Sequence, residues 1–218
     1  MLIGDSDPYP WPYDADLLPS RVALILTGVQ RCHLETALDP EGTLAVIDSL
    51  VAAVRSSGGC SAAIRHGRIG VTRASSNSSS NPSAKGRERR ICAASLPLTG
   101  SSPWQIDDRI SPTDVVIDAY GYDGFYGGPL DAWLRGERRD QLVFAGFCGE
   151  IGLDSTLRSG NDRGYECLVV RDAVSHLSTF TGHHVLSSVT KSGGIFGALA
   201  QSASLVAALR ALPSEGSS

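Results

Sequence analysis

Residues 142–173 read LVFAGFCGEIGLDSTLRSGNDRGYECLVVRDA, and this stretch contains the pattern that decides the fold. Its two short apolar runs, 142–146 and 167–171, are bounded by turn residues and separated by about twenty positions. Runs of this kind are typical of parallel strands that are buried on both faces. Similar runs occur earlier in the chain, at 22–26, 61–65 and 115–118.

Helical patterns lie between these runs. Apolar residues recur at helical spacing from Leu44 to Val54, before Gly58, and again from Phe196 to Leu209, before Pro213. Alternating strands and helices predict an α/β fold, a doubly wound parallel sheet with helices on both faces, in a single domain over 1–218. In such sheets the functional site lies at the carboxyl ends of the strands.

Composition excludes several classes of protein. The 19 Lys and Arg against 23 Asp and Glu give a net charge of −4, which argues against a nucleic-acid binder. No apolar run approaches the roughly 20 residues of a membrane span, and the acidic, proline-rich first twenty residues are unlike a signal peptide. Five scattered cysteines without a CxxC pair predict free thiols and a cytoplasmic location.

Two segments interrupt the alternation. Residues 5–19, DSDPYPWPYDADLLP, predict an extended aromatic and proline-rich arm over 1–20. Residues 72–83, TRASSNSSSNPS, open a polar loop over 72–90 that is flexible by composition, either a lid or a disordered loop. The loop ends in a basic cluster that is either a solvated face or an anion site, formed by Lys85, Arg87, Arg89 and Arg90.

Motifs for common cofactors are missing from the sequence. The first strand runs into Thr27-Gly28-Val29-Gln30, without GxGxxG or a Walker lysine. The five histidines form no HExxH pattern. We therefore expect neither a cofactor nor a catalytic metal.

Three motifs resemble a known family. PYPWPYD at 8–14, NDRGYECLVV at 161–170 and GGIFGALAQSASLVAAL at 193–209 are similar to the isochorismatase-like cysteine hydrolase superfamily, in its branch of biuret and ureidoacrylate amidohydrolases. The resemblance implies a Rossmann-like three-layer αβα fold and a homo-oligomer.

The resemblance also implies an Asp-Lys-Cys triad, and this chain departs from it. The aspartate, lysine and cysteine positions correspond to Gly28, Ala119 and Gly152. In the family the thiolate attacks a carbonyl, and the other two side chains lower its pKa and move the proton. Because all three side chains are missing, we expect no hydrolysis by that route. The resemblance also covers superfamily members that lack the cysteine and cleave a vinyl ether with the aspartate as general acid. Because the aspartate position is Gly28 here, we do not expect that reaction either.

Other side chains near the strand ends are candidates for catalysis. Glu150 is either an acid or base with a raised pKa or a first-turn glutamate that favours the helix dipole. His66 is either a general base or a solvent-facing loop histidine, and Tyr122 either donates to a ligand oxygen or packs as an aromatic. Cys148 is favoured as a structural thiol over a relocated nucleophile. The residues expected to line a small-molecule site are Gly28, Gln30, Ala119, Phe125, Phe147, Cys148 and Gly152.

Three functions follow from these candidates. The favoured one is a repurposed enzyme that promotes an elimination, isomerisation or cyclisation of a small organic molecule, as in secondary metabolism. The second is a pseudoenzyme that serves as a partner subunit or small-molecule binder, and the third is an amidohydrolase that uses Cys148. An enzyme should show a closed, ligand-sized pocket with at least one buried ionisable group aimed into it. In a scaffold, the space around Gly28, Ala119 and Gly152 is free to collapse.

Overall fold

Six parallel strands form one sheet in the computed structural model, which describes residues 1–69 and 96–212 apart from the side chain of Thr181. The sheet order is β3-β2-β1-β4-β5-β6. The strands are β1 (Val22–Thr27), β2 (Cys60–His66), β3 (Val115–Ala119), β4 (Gln141–Gly146), β5 (Glu166–Val174) and β6 (Ala198–Ala200). The predicted loop at 72–90, its basic cluster and Cys92 lie outside the described residues.

Helices cover both faces of the sheet. They are α1 (Arg31–Leu34), α2 (Pro40–Ser57), α3 (Leu130–Gly136), α4 (Asp154–Asp162), α5 (Thr179–Val189), the short α6 (Lys191–Gly194) and α7 (Ser202–Ala211). Apolar side chains of α2 and α7 pack in one core cluster, and those of α3, α4 and α5 in a second cluster on the opposite face. The predicted doubly wound, three-layer αβα fold is confirmed.

Burial on both faces explains the apolar character of β1. All six of its residues are buried, with Leu24 and Leu26 in the cluster beneath α2 and Ile25 in the cluster beneath α3. Within the described ranges, no helix is long and apolar enough to cross a bilayer.

Helix α2 confirms the pattern read from Leu44 to Val54. The helix begins at Pro40. Asp39 is its N-cap residue, and the Asp39 carboxylate accepts a hydrogen bond from the Gly42 N–H at 3.1 Å. It ends at Gly58, whose φ of +94° is the left-handed conformation that terminates helices.

The predicted start of the last helix, at Phe196, is wrong. Residues 198–200 form the edge strand β6, and α7 starts only at Ser202. Spacing alone could not separate the two, because a three-residue buried strand leaves no alternation to detect. The apolar face of α7, with Leu205, Val206 and Leu209, is buried within the chain. The expectation of a homo-oligomer therefore rests on the resemblance rather than on this helix.

The N-terminal arm lies against the β6 edge. Asp7 and Leu199 exchange backbone hydrogen bonds of 2.9 and 2.8 Å, and Ile3 and Trp11 pair within the arm. Trp11 is fully buried, whereas the side chain of Tyr13 is 66% exposed. The arm therefore covers an edge strand that would otherwise present unpaired backbone groups.

A buried side-chain amide joins the carboxyl ends of β1 and β2. Gln30 donates from Nε2 to the carbonyls of His66 (3.0 Å) and Trp104 (2.8 Å), and its Oε1 accepts from the His66 N–H (2.9 Å). Gln30 is fully buried, and both its amide hydrogens are used by backbone groups. Gln30 therefore serves as a structural link between these two strand ends.

We expect Gln30→Ala to lower the free energy of unfolding by about 3 kcal/mol, because it strands one buried N–H and two buried carbonyls. Urea denaturation followed by circular dichroism measures this. Gln201→Ala is the matched control, since Gln201 is exposed and its side chain does not cap α7. The control should change stability by less than about 0.5 kcal/mol, and an equally small effect at Gln30 would contradict the assignment.

Candidate active site

Gly28, Ala119 and Gly152 lie near the carboxyl ends of three strands of the sheet, β1, β3 and β4. Gly28 directly follows β1, Ala119 ends β3, and Gly152 lies in a π-helical turn, Gly149–Leu153, after β4. Ala119 is fully buried and pairs in register with His66 at the end of β2. The topology therefore brings the positions of the implied triad to one edge of the sheet.

The backbone at Gly28 leaves no room for a side chain. Its φ is +64°, and a Cβ there would lie 2.0 Å from the carbonyl oxygen of Phe147. Phe147 also donates its N–H to the carbonyl of Thr27 at 2.9 Å, so the chain after β4 is held against the chain after β1. The Phe147 ring is fully buried in the core cluster beneath α2.

The ring of His66 fills the space in front of Gly152. A Cβ at Gly152 would lie 2.7 Å from His66 Nε2. His66 is 1% exposed, which contradicts the solvent-facing alternative. Burial lowers its pKa to about 4, so the imidazole is neutral at pH 7.

The tautomer of His66 follows from its neighbour. The carbonyl of Gly121 lies 3.1 Å from Nδ1, so Nδ1 carries the proton and Nε2 carries a lone pair. Among the described residues Nε2 has no hydrogen-bond partner. The ring therefore packs as a buried neutral group against the π-helical turn.

A small pocket lies beside this turn. It has a volume of about 250 Å³ and is lined by Tyr122, Glu150, Ile151 and Ser155, and we call it the Glu150 pocket. Tyr122 is 41% exposed at its rim. The structure thus brings together two of the three predicted catalytic residues, Tyr122 and Glu150.

Glu150 is held in place from two sides. Its Oε1 accepts a hydrogen bond from the Leu177 N–H at 2.8 Å, and its Oε2 lies 3.7 Å from His176 Nδ1. Only 12% of the Glu150 side chain and 11% of the His176 side chain is exposed. A carboxylate next to an imidazole in a nearly dry setting is suited to proton transfer.

Sequence reasoning missed His176. Its ring fits between two glycines, because a Cβ at Gly149 would lie 2.9 Å from Cε1 and one at Gly182 would lie 2.6 Å from Cδ2. Neither ring nitrogen has a hydrogen-bond partner within the described residues. Its position in the sequence could have indicated it. His176 follows shortly after β5, Glu150 follows shortly after β4, and these two strands are adjacent in the sheet.

Two other predicted positions are not among the residues that line the Glu150 pocket. Phe125 is 6% exposed and stacks on Tyr165 with ring centroids 5.7 Å apart. Cys148 is buried, and burial together with the charge of Glu150 raises the pKa of its thiol to about 12. Such a thiol is protonated and a poor nucleophile at neutral pH, which supports the structural reading.

The described part of the chain contains no group of three or more His, Cys, Asp or Glu residues arranged to hold a metal ion. Its four cysteines, Cys32, Cys60, Cys148 and Cys167, are free thiols.

Curated relatives are ureidoacrylate amidohydrolases. The ureidoacrylate amidohydrolase RutB of Klebsiella pneumoniae is 28% identical over 180 residues, which is 74% of this chain and 76% of that protein. RutB of Methylobacterium radiotolerans is 36% identical over 89 residues, 39% of this chain and 34% of that protein. The resemblance to this branch of the superfamily is confirmed.

Solved structures share the fold. A cysteine hydrolase from Pseudomonas syringae pv. phaseolicola superimposes with a TM-score of 0.71 at 18% identity, covering 91% of this chain and 99% of the other. N-carbamoylsarcosine amidase from Thermoplasma acidophilum gives a TM-score of 0.63 at 20% identity, covering 84% and 96%. The model of the isochorismatase domain matches residues 22–201, most of the chain. The chain therefore belongs to the isochorismatase family.

Proposed function

We propose that this chain is a diverged isochorismatase-family enzyme that lacks the Asp-Lys-Cys triad. In this proposal it promotes a non-hydrolytic reaction, an elimination, isomerisation or cyclisation, on a small organic molecule bound in the Glu150 pocket. The observation that carries it is the nearly buried Glu150 carboxylate, which lines a pocket of about 250 Å³.

Proton transfer is the chemistry that Glu150 can supply. As a base, the carboxylate takes a proton from a substrate carbon, and the electron pair of that C–H bond forms a C=C bond as a neighbouring oxygen leaves or as a carbonyl oxygen takes the negative charge. The carboxylic acid then returns the proton to the departing oxygen in an elimination, or to another carbon in an isomerisation. The Leu177 N–H holds one oxygen, leaving Oε2 toward His176. Tyr122 at the rim is placed to donate to a substrate oxygen.

Loss of covalent catalysis is supported by the residues at the implied triad positions. Gly152 has no atom that can attack, Gly28 none that can accept a proton, and Ala119 no cation. The close contacts of Gly28 with Phe147 and of Gly152 with His66 agree with a chain that has adapted to the absence of these side chains.

A second candidate function is that of a non-catalytic partner subunit or binder. The His66 ring favours it, because it occupies the space next to Gly152 where a family nucleophile would lie. The two functions differ at Glu150, which a scaffold would not need as an acid or base.

Assembly and location belong to the same proposal. We infer a homo-oligomer from the family resemblance, a small molecule rather than nucleic acid or membrane as the ligand, and the cytoplasm as the compartment. The free thiols of the described cysteines support a reducing compartment.

The contact of His66 with Gly152 is tested by a double-mutant cycle. We expect Gly152→Ala to lower the free energy of unfolding by about 2 kcal/mol, because the new Cβ overlaps His66 Nε2. In the His66→Ala background the same change should cost at least about 1 kcal/mol less. Gly136→Ala in α3 is the control, since nothing lies within 4 Å of its added Cβ. Additive effects at 66 and 152 would contradict the packing described above.

Loss of hydrolysis is tested with ureidoacrylate. We expect the chain to consume it no faster than buffer does, because burial raises the thiol pKa of each of the four described cysteines. Chromatography of the remaining substrate measures this, with the Klebsiella pneumoniae relative as positive control. Turnover that disappears after treatment with iodoacetamide would instead assign hydrolysis to a cysteine.

The role of Glu150 is tested by proton exchange. Small carbonyl compounds and enol ethers are incubated with the protein in D₂O, and proton NMR records loss of C–H signals or new vinyl signals. We expect Glu150→Gln to slow the reaction that is found by about 10²–10⁴-fold, since the amide cannot accept the proton. Glu137→Gln, at an exposed glutamate, should keep the full rate. A full rate in Glu150→Gln would favour the non-catalytic alternative.

A further inference from the structure

A second pocket lies where the three family-like motifs of the sequence meet. It has a volume of about 250 Å³ and joins the arm, the start of β5 and the turn before β6. We call it the arm pocket; its lining residues are Tyr9, Tyr13, Asn161, Tyr165, Glu166, Cys167, Gly193, Gly194 and Ile195. Neither the proposed function nor the core packing accounts for these motifs converging on an open cavity.

Aromatic side chains of the arm form one wall of the arm pocket. The rings of Tyr9 and Tyr13 meet edge to face, with centroids 5.0 Å apart and planes at 73°. Tyr9 is held against Gly194, where a Cβ would lie 2.5 Å from its Cε1. The position of Tyr9 is therefore set by the absence of a side chain on the turn.

A carboxylate completes the arm pocket. Glu166 Oε2 accepts a hydrogen bond from the Tyr13 N–H at 3.4 Å, and within residues 1–69 and 96–212 it forms no salt bridge. Arg21 lies near Glu166, but its guanidinium donates to both carboxylate oxygens of Asp140 at 2.7 and 2.6 Å. Burial and the charges of Glu166 and Asp14 raise the pKa of Tyr9 to about 12, so the phenol stays neutral in a negative field.

We propose that the arm pocket binds a small organic cation that carries an ammonium or methylated ammonium group. Tyrosine faces attract cations through the ring quadrupole, and the Glu166 carboxylate, which forms no salt bridge with any described residue, supplies the countercharge. The pocket lies at the amino end of β5, whereas the Glu150 pocket lies beyond the carboxyl ends of β4 and β5. The nine residues of β5 separate the two sites, so this inference does not depend on the proposed reaction.

Titration calorimetry with choline chloride tests the proposal. Its uncharged carbon analogue, 3,3-dimethylbutan-1-ol, has the same shape without the charge. We expect choline to bind with a dissociation constant in about the millimolar range and at least about tenfold more tightly than the alcohol. Equal affinity of the two, or no heat from choline up to about 20 mM, would overturn the proposal.

Variants locate the binding. We expect Glu166→Gln, which keeps the shape of the side chain, and Tyr13→Leu, at an exposed ring, each to weaken choline binding by about tenfold. Tyr126→Leu, at an exposed tyrosine of another loop, and Glu150→Gln should leave it unchanged. Unchanged binding in Glu166→Gln would place the cation elsewhere, and loss in Glu150→Gln would assign it to the Glu150 pocket instead.

Discussion

The amide of Gln30 is the contact on which the arrangement of the strand ends depends. It pairs with both backbone groups of His66, as another strand would, and so extends the link between β1 and β2 beyond the end of β1. Because the His66 backbone is held in place, the position from which its side chain extends is fixed, and the imidazole packs against Gly152. A buried amide with all its hydrogens used tolerates few alternative positions, because each would leave polar groups unpaired in the core.

Two histidines near the carboxyl ends of the strands, His66 and His176, are buried in different surroundings. His66 loses its charge, because burial lowers its pKa and the Gly121 carbonyl selects one neutral tautomer. His176 keeps a carboxylate, that of Glu150, within 3.7 Å. The first arrangement suits packing, since a neutral ring needs no countercharge. The second suits chemistry, since a carboxylate and an imidazole side by side are both groups that can accept or donate a proton. The carboxyl edge of the sheet thus has a packed region around His66 and Gly152, and a pocket beside Glu150.

Sequence patterns predicted those helices and strands whose ends and apolar faces are marked by residues of the same segment. Helix α2 was predictable because Asp39, Pro40 and Gly58 mark its ends and its apolar residues follow one face. Strand β6 was not, because Ala198–Ala200 is recognisable only from its pairing with β5 and with the arm. In the site, Glu150 was predictable from its turn after a strand. His176 and the structural role of Gln30 were not, because each depends on partners in distant segments, such as Gly182 for the first and Trp104 for the second.

The backbone pairing of Asp7 with Leu199 joins two segments that are far apart in the sequence. Pairing over so long a separation carries a large loop-closure cost, so it forms late in folding. During synthesis on the ribosome, the first twenty residues emerge long before their docking strand exists. Their apolar side chains, including Trp11, therefore stay exposed to solvent or form only transient contacts until Leu199 has been synthesised. The arm and the β6 edge can therefore cover each other only after both segments have been synthesised.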